Sequence, residues 1–361
     1  MFRTLIRMLL VLLVLAIGYL LFWPVPVAPV AWQAPKSTGY TGAYVPNTAL
    51  ADLQKQAILG RHGPEDAAIS SNGTIYITTE GGDVLARSPE GNMMVHAETQ
   101  GRPLGIEVDP DGVVWVADAY LGLTRIGPDG PKVVASQTVE GDPIRYANSL
   151  DFAPDGAVWF SDASTKFGAR EWGGTLQASY LEILEHGSTG RLLRYDPATG
   201  DTAVMLEGIS FANGVAMGPT GEWLLFVETG AYAVRRLWIA GERAGEVEDV
   251  LTNLPGFPDN IKRDTQGGFL LGLVSRRAPA ADLAAPYPFL RKILQRLPVA
   301  WRPKAVSYGF ILHLDETGRV TKTWQDPSAG YPLTTGAVRA VDGGLWVTSL
   351  SADWLGRWDA R

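Results

Sequence analysis

The sequence predicts an all-β, six-bladed β-propeller preceded by one N-terminal transmembrane helix. Three observations predict it. One hairpin signature recurs six times, its glycine-bearing turns begin at blade-like spacing, and an uncharged apolar run precedes all of them. The first of these is the most specific, because Asn-Gly and Asp-Gly between apolar runs are strong hairpin signals: both residues tolerate φ > 0.

At the N-terminus, Arg3 and Arg7 are the only charged residues before Lys36, and Met8 to Trp23 carries no charge. Sixteen helical residues rise about 24 Å, somewhat short of a bilayer core of about 30 Å. Snorkelling of Arg7 and an interfacial Trp23 close that gap. Residues 1–23 are therefore expected to be a cytoplasmic stub and anchor. A cleaved signal peptide is the alternative, although the run is long for one and no A-x-A site follows. Positive charge on the N-terminal side places that end in the cytoplasm and the remainder outside it. Residues 24–39, with prolines at 24, 26, 29 and 35, read as an extended stiff spacer holding the body off the membrane. The propeller is expected over 40–361.

The six hairpins are Ala67–Thr79, Leu104–Ala117, Leu150–Ser161, Val215–Val227, Ile261–Val274 and Ala337–Leu350. Further half-hairpins follow several of them, as at Gly190–Asp196, Val234–Ile239 and Gly309–Asp315. Two hairpins make four strands, which is one blade. Turn glycines 73, 112 and 156 lie 39 and 44 residues apart, and the next gaps, to 221, 267 and 343, are 65, 46 and 76. Two blades thus carry long insertions, read as helical near 168–187 and 278–305. The second combines apolar residues (Phe289, Leu290, Ile293, Leu294, Leu297) with Arg291, Lys292 and Arg296. That pattern suits a membrane-surface or lid helix, or a helix packed on the rim.

Composition narrows the function classes. With 38 acidic against 31 basic residues and a net charge of −7, nucleic acid is not the expected partner. The absence of cysteine excludes disulfide scaffolds, thiol nucleophiles and iron–sulfur clusters. Arg outnumbers Lys 23 to 8 and Ala and Gly are abundant, which resembles a GC-rich bacterial genome. The expected location is then a bacterial inner membrane with a periplasmic body.

Immediately before the first strand of several repeats, in the loop that would enter it, sits an oxygen-bearing residue beside Gly or Pro: Glu65, Asn148, Asn213, and the pair Asp259 and Asn260. First strands line a propeller's channel, so these positions meet at one mouth. Two carboxylates and three amide oxygens, with a charge of about −2, suit a hard cation, and calcium better than magnesium. Singly, each would be an ordinary turn or cap residue; the common register across four loops is what points to a metal.

Six motifs in order, GRPLG (101–105), VADAYLGL (116–123), VWFSDASTKF (158–167), GRLLRYDP (190–197), FANGV (211–215) and LPGFPDNI (254–261) with Ser275–Arg277, resemble the strictosidine synthase-like family. That family lies within the gluconolactonase and paraoxonase superfamily of calcium propellers, and the resemblance runs from about 60 to 355. It implies a calcium-dependent hydrolase of small-molecule lactones or aryl esters. It places the superfamily's ligand positions on Glu65, Asn148, Asn213 and Asp259, with Asn260 added, and makes Asp259 also the base for water. Two departures matter. The plant synthase's last-blade glutamate has no counterpart, since Pro327 to Val341 contains no Asp or Glu, so strictosidine synthesis is not expected. The paraoxonase histidine pair also lacks a match among His62, His96, His186 and His313. His62 and His186 are the two placed near enough to the mouth to be catalytic candidates, with surface or packing roles as the alternative. Arg102, Asp118 and Asp162 read as cross-blade hydrogen-bond partners. A binding scaffold with a structural calcium is the rival reading of the whole chain.

Overall fold

The computed structural model describes residues 2–360, whose 24 strands form six four-stranded antiparallel sheets around a central channel. From the channel outward, the first blade comprises Ala67–Ile69, Ile75–Thr78, Asp83–Arg87 and Met93–Glu98. The next four blades have inner strands Pro103–Val108, Ala147–Phe152, Ala212–Met217 and Gly256–Arg263, and the sixth has Thr334–Arg339. Inner strands have neighbours on both faces, so Ala212–Met217 and Thr334–Arg339 are buried at every position. Outer strands face water on one side, and Met93–Glu98 alternates between partly buried and exposed accordingly.

The ring is closed by a strand from the other end of the chain. Gln54–Ala57 pairs with Trp354–Trp358, from Gln54 opposite Arg357 to Ala57 opposite Trp354, and so supplies the sixth blade's outermost strand. Ile58, which follows it, is fully buried among Ile75, Ile77 and Leu85 of blade one and Val338, Trp346 and Leu355 of blade six. Apolar layers of this kind fill every space between neighbouring blades, as Val227, Val234, Ile261, Leu271 and Phe310 do between blades four and five.

The first residue of an inner strand lies beside the last residue of the second strand, as in Ala147 with Asp162 and Gly256 with Arg276. Connections from second to third strand therefore emerge at the channel mouth where the inner strands begin. Both insertions are such connections. After the N-terminal helix α1 (Phe2–Phe22), they contribute α2 (Thr175–Glu185) in blade three, and α3 (Pro279–Ala284) and α4 (Pro288–Arg296) in blade five. All three sit on this one face.

At 21 residues, α1 spans about 32 Å, enough for a bilayer core, because it begins upstream of Arg3 and Arg7 rather than after them. The proline-rich segment behind it is not the free spacer expected from its composition. It is a strap docked along the mouth. Ala28 N donates to Glu185 Oε2 at 2.6 Å, Val30 N to Glu185 O at 2.9 Å and Trp32 N to Ala285 O at 3.2 Å. Arg277 then donates to Pro35 O at 2.7 Å and Asn253 to Lys36 O at 3.0 Å. An extended chain has its backbone groups free, and the insertions supply partners for them.

Closure by strand exchange predicts that the seam carries disproportionate stability. Ile58→Ala should cost about 2–5 kcal/mol, as buried isoleucine truncations do, and lower the urea midpoint of the detergent-solubilised chain. Val341→Ala, on an 89% exposed turn residue of the same blade, should stay within about 0.5 kcal/mol of the parent.

Candidate metal centre

Ligand positions are created by one repeated irregularity. In blade three, Ala147 pairs with Asp162 and pairing resumes only at Leu150 with Phe160, so three steps on the inner strand match two on its partner. The same bulge falls between Ala212 and Val215 in blade four and between Pro258 and Ile261 in blade five. A bulge frees its residues from the ladder and re-aims their side chains. The residues freed are Asn148, Asn213 and the pair Asp259 and Asn260. Glu65 comes from blade one just before its inner strand, held by Glu65 N to Thr78 O at 3.1 Å. Equivalent bulges in blades two and six hold Leu104 with Gly105 and Thr335 with Gly336, which have no comparable ligand.

All five predicted ligands are 5% exposed or less. Among the described residues, Glu65 Oε2, Asn148 Oδ1, Asn213 Oδ1 and Asn260 Oδ1 are buried oxygens without a hydrogen-bond partner. An orphaned buried polar group costs about 1–3 kcal/mol, so four belonging to one predicted set demand a missing partner. Neighbouring groups fix which way two of the amides face. Thr229 Oγ1 donates to Pro258 O at 2.7 Å and must accept from Asn213, so Asn213 turns its NH₂ to Thr229 (3.1 Å) and to Asp259 Oδ1 (2.6 Å). Likewise Glu65 O can only accept, and it takes Asn260 Nδ2 at 3.1 Å beside Thr335 Oγ1 at 2.6 Å. The amide oxygens are what is left over.

Electrostatics point the same way. Burial, with Asp259 and Asp66 nearby, pushes the Glu65 carboxyl well above its usual range, against smaller opposing effects of Arg102 and Asn260. Burial likewise raises Asp259 to about 7, opposed by the Asn213 hydrogen bond and reinforced by Asp66. Two buried acids this unwilling to ionise are what a bound cation relieves. Among the described residues, no three His, Cys, Asp or Glu side chains converge as a metal cluster, and an ion held here would take amide oxygens beside the two carboxylates. An all-oxygen set of five with a charge of about −2 fits calcium's preference for hard, numerous ligands.

Asp66, although adjacent to Glu65, is engaged elsewhere. Its Oδ2 accepts Ile106 N at 3.0 Å and lies 2.8 Å from Lys262 Nζ, which also donates to Glu107 Oε1 at 2.7 Å and Ile106 O at 2.6 Å. This buried lysine neutralises the acidic layer next to the ligands. Sequence reasoning missed it; the available signal was its position two residues after Asn260 on an inner strand, where alternation returns a side chain to the same face.

Around the mouth, Asp118 caps the start of blade two through Arg102 N (2.9 Å), and Asp162 does so in blade three through Tyr146 N (2.8 Å) while pairing with Arg191. These bonds join strands of one blade and not neighbouring blades as expected; Asp118 also takes Thr99 Oγ1 (2.9 Å) from the segment that leaves blade one. Arg102 joins Asp118 only through its backbone; its buried guanidinium donates to Pro103 O and stands within electrostatic reach of Glu65. Val27 of the strap is buried against Leu104, in the blade-two bulge, and against Tyr146 and Phe211, which precede the inner strands of blades three and four. His186 stacks on Trp32 with centroids 4.0 Å apart and shares a 3.0 Å hydrogen bond with Ser210. Burial, with a contribution from Arg291, lowers it to about 4, so it is neutral at physiological pH. His62 is half exposed at the rim, 2.7 Å from Asp353 and 3.4 Å from Glu80. Neither histidine is hydrogen-bonded to the five ligands. His96 packs on Tyr76, and His313 binds Gly267 O, both away from the mouth.

With this geometry established, known proteins can be compared. Family models described as strictosidine synthase and as strictosidine synthase-like, N-terminal, match residues 148–242 and 42–87. Strictosidine synthase-like protein 13 of Arabidopsis thaliana is 37% identical over 238 residues, 64% of this chain, although the match spans only 57% of that protein. The adipocyte plasma membrane-associated protein of Salmo salar is 30% identical over 347 residues, 88% of this chain and 80% of its own. The chain belongs to the strictosidine synthase-like family. Among solved structures, a gluconolactonase from Xanthomonas campestris superposes with a TM-score of 0.62 at 16% identity, covering 91% of this chain and 97% of the other. Regucalcin, a calcium-binding protein from Agrobacterium tumefaciens, superposes with a TM-score of 0.57 at 15% identity, covering 85% of this chain and 93% of the other. These likenesses establish the propeller fold.

The bulges constrain their neighbours too. A Cβ on Gly214 would sit 2.6 Å from Asp259 O and 2.5 Å from Ile261 N, pushing the adjacent ligand backbone away. Gly214→Ala should therefore reduce or abolish the rise in melting temperature on adding calcium to the solubilised chain. Gly156→Ala, at a turn with open space but positive φ, should lower the melting temperature while leaving that calcium-dependent rise intact.

Proposed function

We propose that the protein is a membrane-anchored, calcium-dependent hydrolase of lactones or aryl esters. Glu65, Asn148, Asn213, Asp259 and Asn260 would hold the calcium in the channel. The observation that carries this reading is the set of four unpartnered buried oxygens on ligands from four different blades. Its support in kinship is the family's propeller fold, shared with a gluconolactonase and with calcium-binding regucalcin.

When bound, calcium supplies a Lewis acid that polarises the ester carbonyl and stabilises the developing oxyanion. The residues do the rest. Asp259, through a carboxylate oxygen not engaged by the cation, would take a proton from water as the water oxygen bonds to the carbonyl carbon. It returns that proton to the leaving oxygen as the C–O bond breaks, so the net change is addition of one water. Asn213, bonded to Asp259 Oδ1, orients the carboxylate for this transfer. Arg102 offers a buried positive charge for the substrate's oxygens. His186 and His62, bonded elsewhere, serve the strap and the rim in this scheme. For topology, α1 is the anchor, with Arg3 and Arg7 on the cytoplasmic side and the propeller in the periplasm of a bacterium.

One observation favours a second reading. Val27 of the strap is buried against Leu104, Tyr146 and Phe211 at the mouth, and a strapped mouth suits a binding scaffold that uses calcium only to lock its blades. Strictosidine synthesis gains nothing from the last blade, where Ala337 is buried in packing with Leu270 and Ile311.

The two readings separate in one assay of full-length protein against a panel of aryl esters and lactones. Hydrolysis is expected with calcium, to be lost with chelator, and to fall at least 100-fold in Asp259→Asn and Asn213→Ala variants that remain folded. If the parent hydrolyses nothing while chelator still lowers its melting temperature, the scaffold reading stands instead.

A further inference from the structure

The insertion between Arg277 and Val306 is built inside out. In water, a surface helix buries its apolar side and exposes its charges. Here Arg291 and Arg296 of α4 are buried, at 2% and 7% exposure, and are bonded to backbone carbonyls. Arg291 donates to Val30 O of the strap, and Arg296 to Trp23 O at 2.6 Å and Leu20 O at 2.9 Å, the last turn of α1. The large apolar side chains point outward instead: Leu283 at 76%, Tyr287 at 57%, Phe289 at 52%, Val299 at 69% and Trp301 at 74% exposure. Lys292, Arg302 and Lys304 accompany them.

The location of this surface names its occupant. Arg296 ties α4 to the carbonyl end of α1, where a helix emerging from the bilayer core meets its interface, and Trp23 stands at that junction. Side chains of tyrosine, tryptophan and lysine beside exposed aliphatics are the chemistry of a membrane–water interface. We infer that the 278–306 insertion is a second membrane contact, seated in the headgroup region of the leaflet from which α1 emerges. Because α3 and α4 lie on the face where the inner strands begin, the seat turns the channel mouth toward the bilayer. This inference requires neither the cation nor hydrolysis.

The chain's lack of cysteine makes the test direct. Single variants Leu283→Cys, Val299→Cys and Trp301→Cys of the full-length protein would carry an environment-sensitive NBD label. Val341→Cys, exposed in a turn at the opposite end of the sixth blade, serves as the reference. Each is reconstituted into phosphatidylcholine vesicles containing phosphatidylglycerol, with or without nitroxide-labelled lipid. Blue-shifted emission and at least twofold quenching by the nitroxide lipid are expected at 283, 299 and 301 but not at 341. Emission at those three positions matching that at 341 would overturn the inference. So would a blue shift that nitroxide lipid does not quench, since protein, and not lipid, would then cover the surface.

Discussion

Ring closure is the constraint on which everything at the channel depends. Four residues, Gln54–Ala57, complete a sheet begun nearly three hundred positions later and convert six separable blades into one circle. Only in a closed circle do the inner strands hold fixed distances from one another. Cross-blade bonds then lock adjacent inner strands: Asp66 takes Ile106 N, Ser149 takes Val215 N, and Thr335 reaches Glu65 O across the seam itself. The last of these means that the position of Glu65 is set by blade six as much as by its own blade.

Closure forces together groups that repel. Glu65 and Asp259 share one buried mouth with three amide oxygens, and the acceptors at hand (Thr229 Oγ1, Asp259 Oδ1 and Glu65 O) turn the NH₂ groups of Asn213 and Asn260 sideways, leaving oxygen facing oxygen. Inside a protein, buried acids gathered in this way are stabilised by positive charge. Lys262 supplies it for the layer containing Asp66 and Glu107, and a calcium ion would supply it for the ligand layer. The two layers are thus solved differently by the same strand, since Asp259, Asn260 and Lys262 all belong to Gly256–Arg263.

Much of this was legible in the sequence because it is repetitive. Turn glycines such as Gly73 and Gly156 marked the hairpins, and the shared register of Glu65, Asn148, Asn213 and Asp259 marked the candidate site, whose residues the fold brings to one mouth. The unrepeated parts were not legible. Gln54–Ala57 is an outer strand of polar residues with no apolar alternation, so its pairing is dictated by the open edge of blade six alone. The strap looked like a spacer because a proline-rich segment has no pattern of its own; its partners, Glu185, Arg277 and Arg291, lie over 140 residues away. The apolar and basic composition of α4 was readable, but not that its arginines turn inward, because only the carbonyls of α1 and the strap make that favourable.

The most direct test of the account is calorimetric titration of the full-length, detergent-solubilised protein with calcium, beside Glu65→Gln and Asp259→Asn. The account predicts one calcium per chain, and at least a tenfold loss of affinity in each variant while circular dichroism shows the propeller intact. Absence of calcium binding by the folded parent, or affinity unchanged from the parent in both variants, would contradict it.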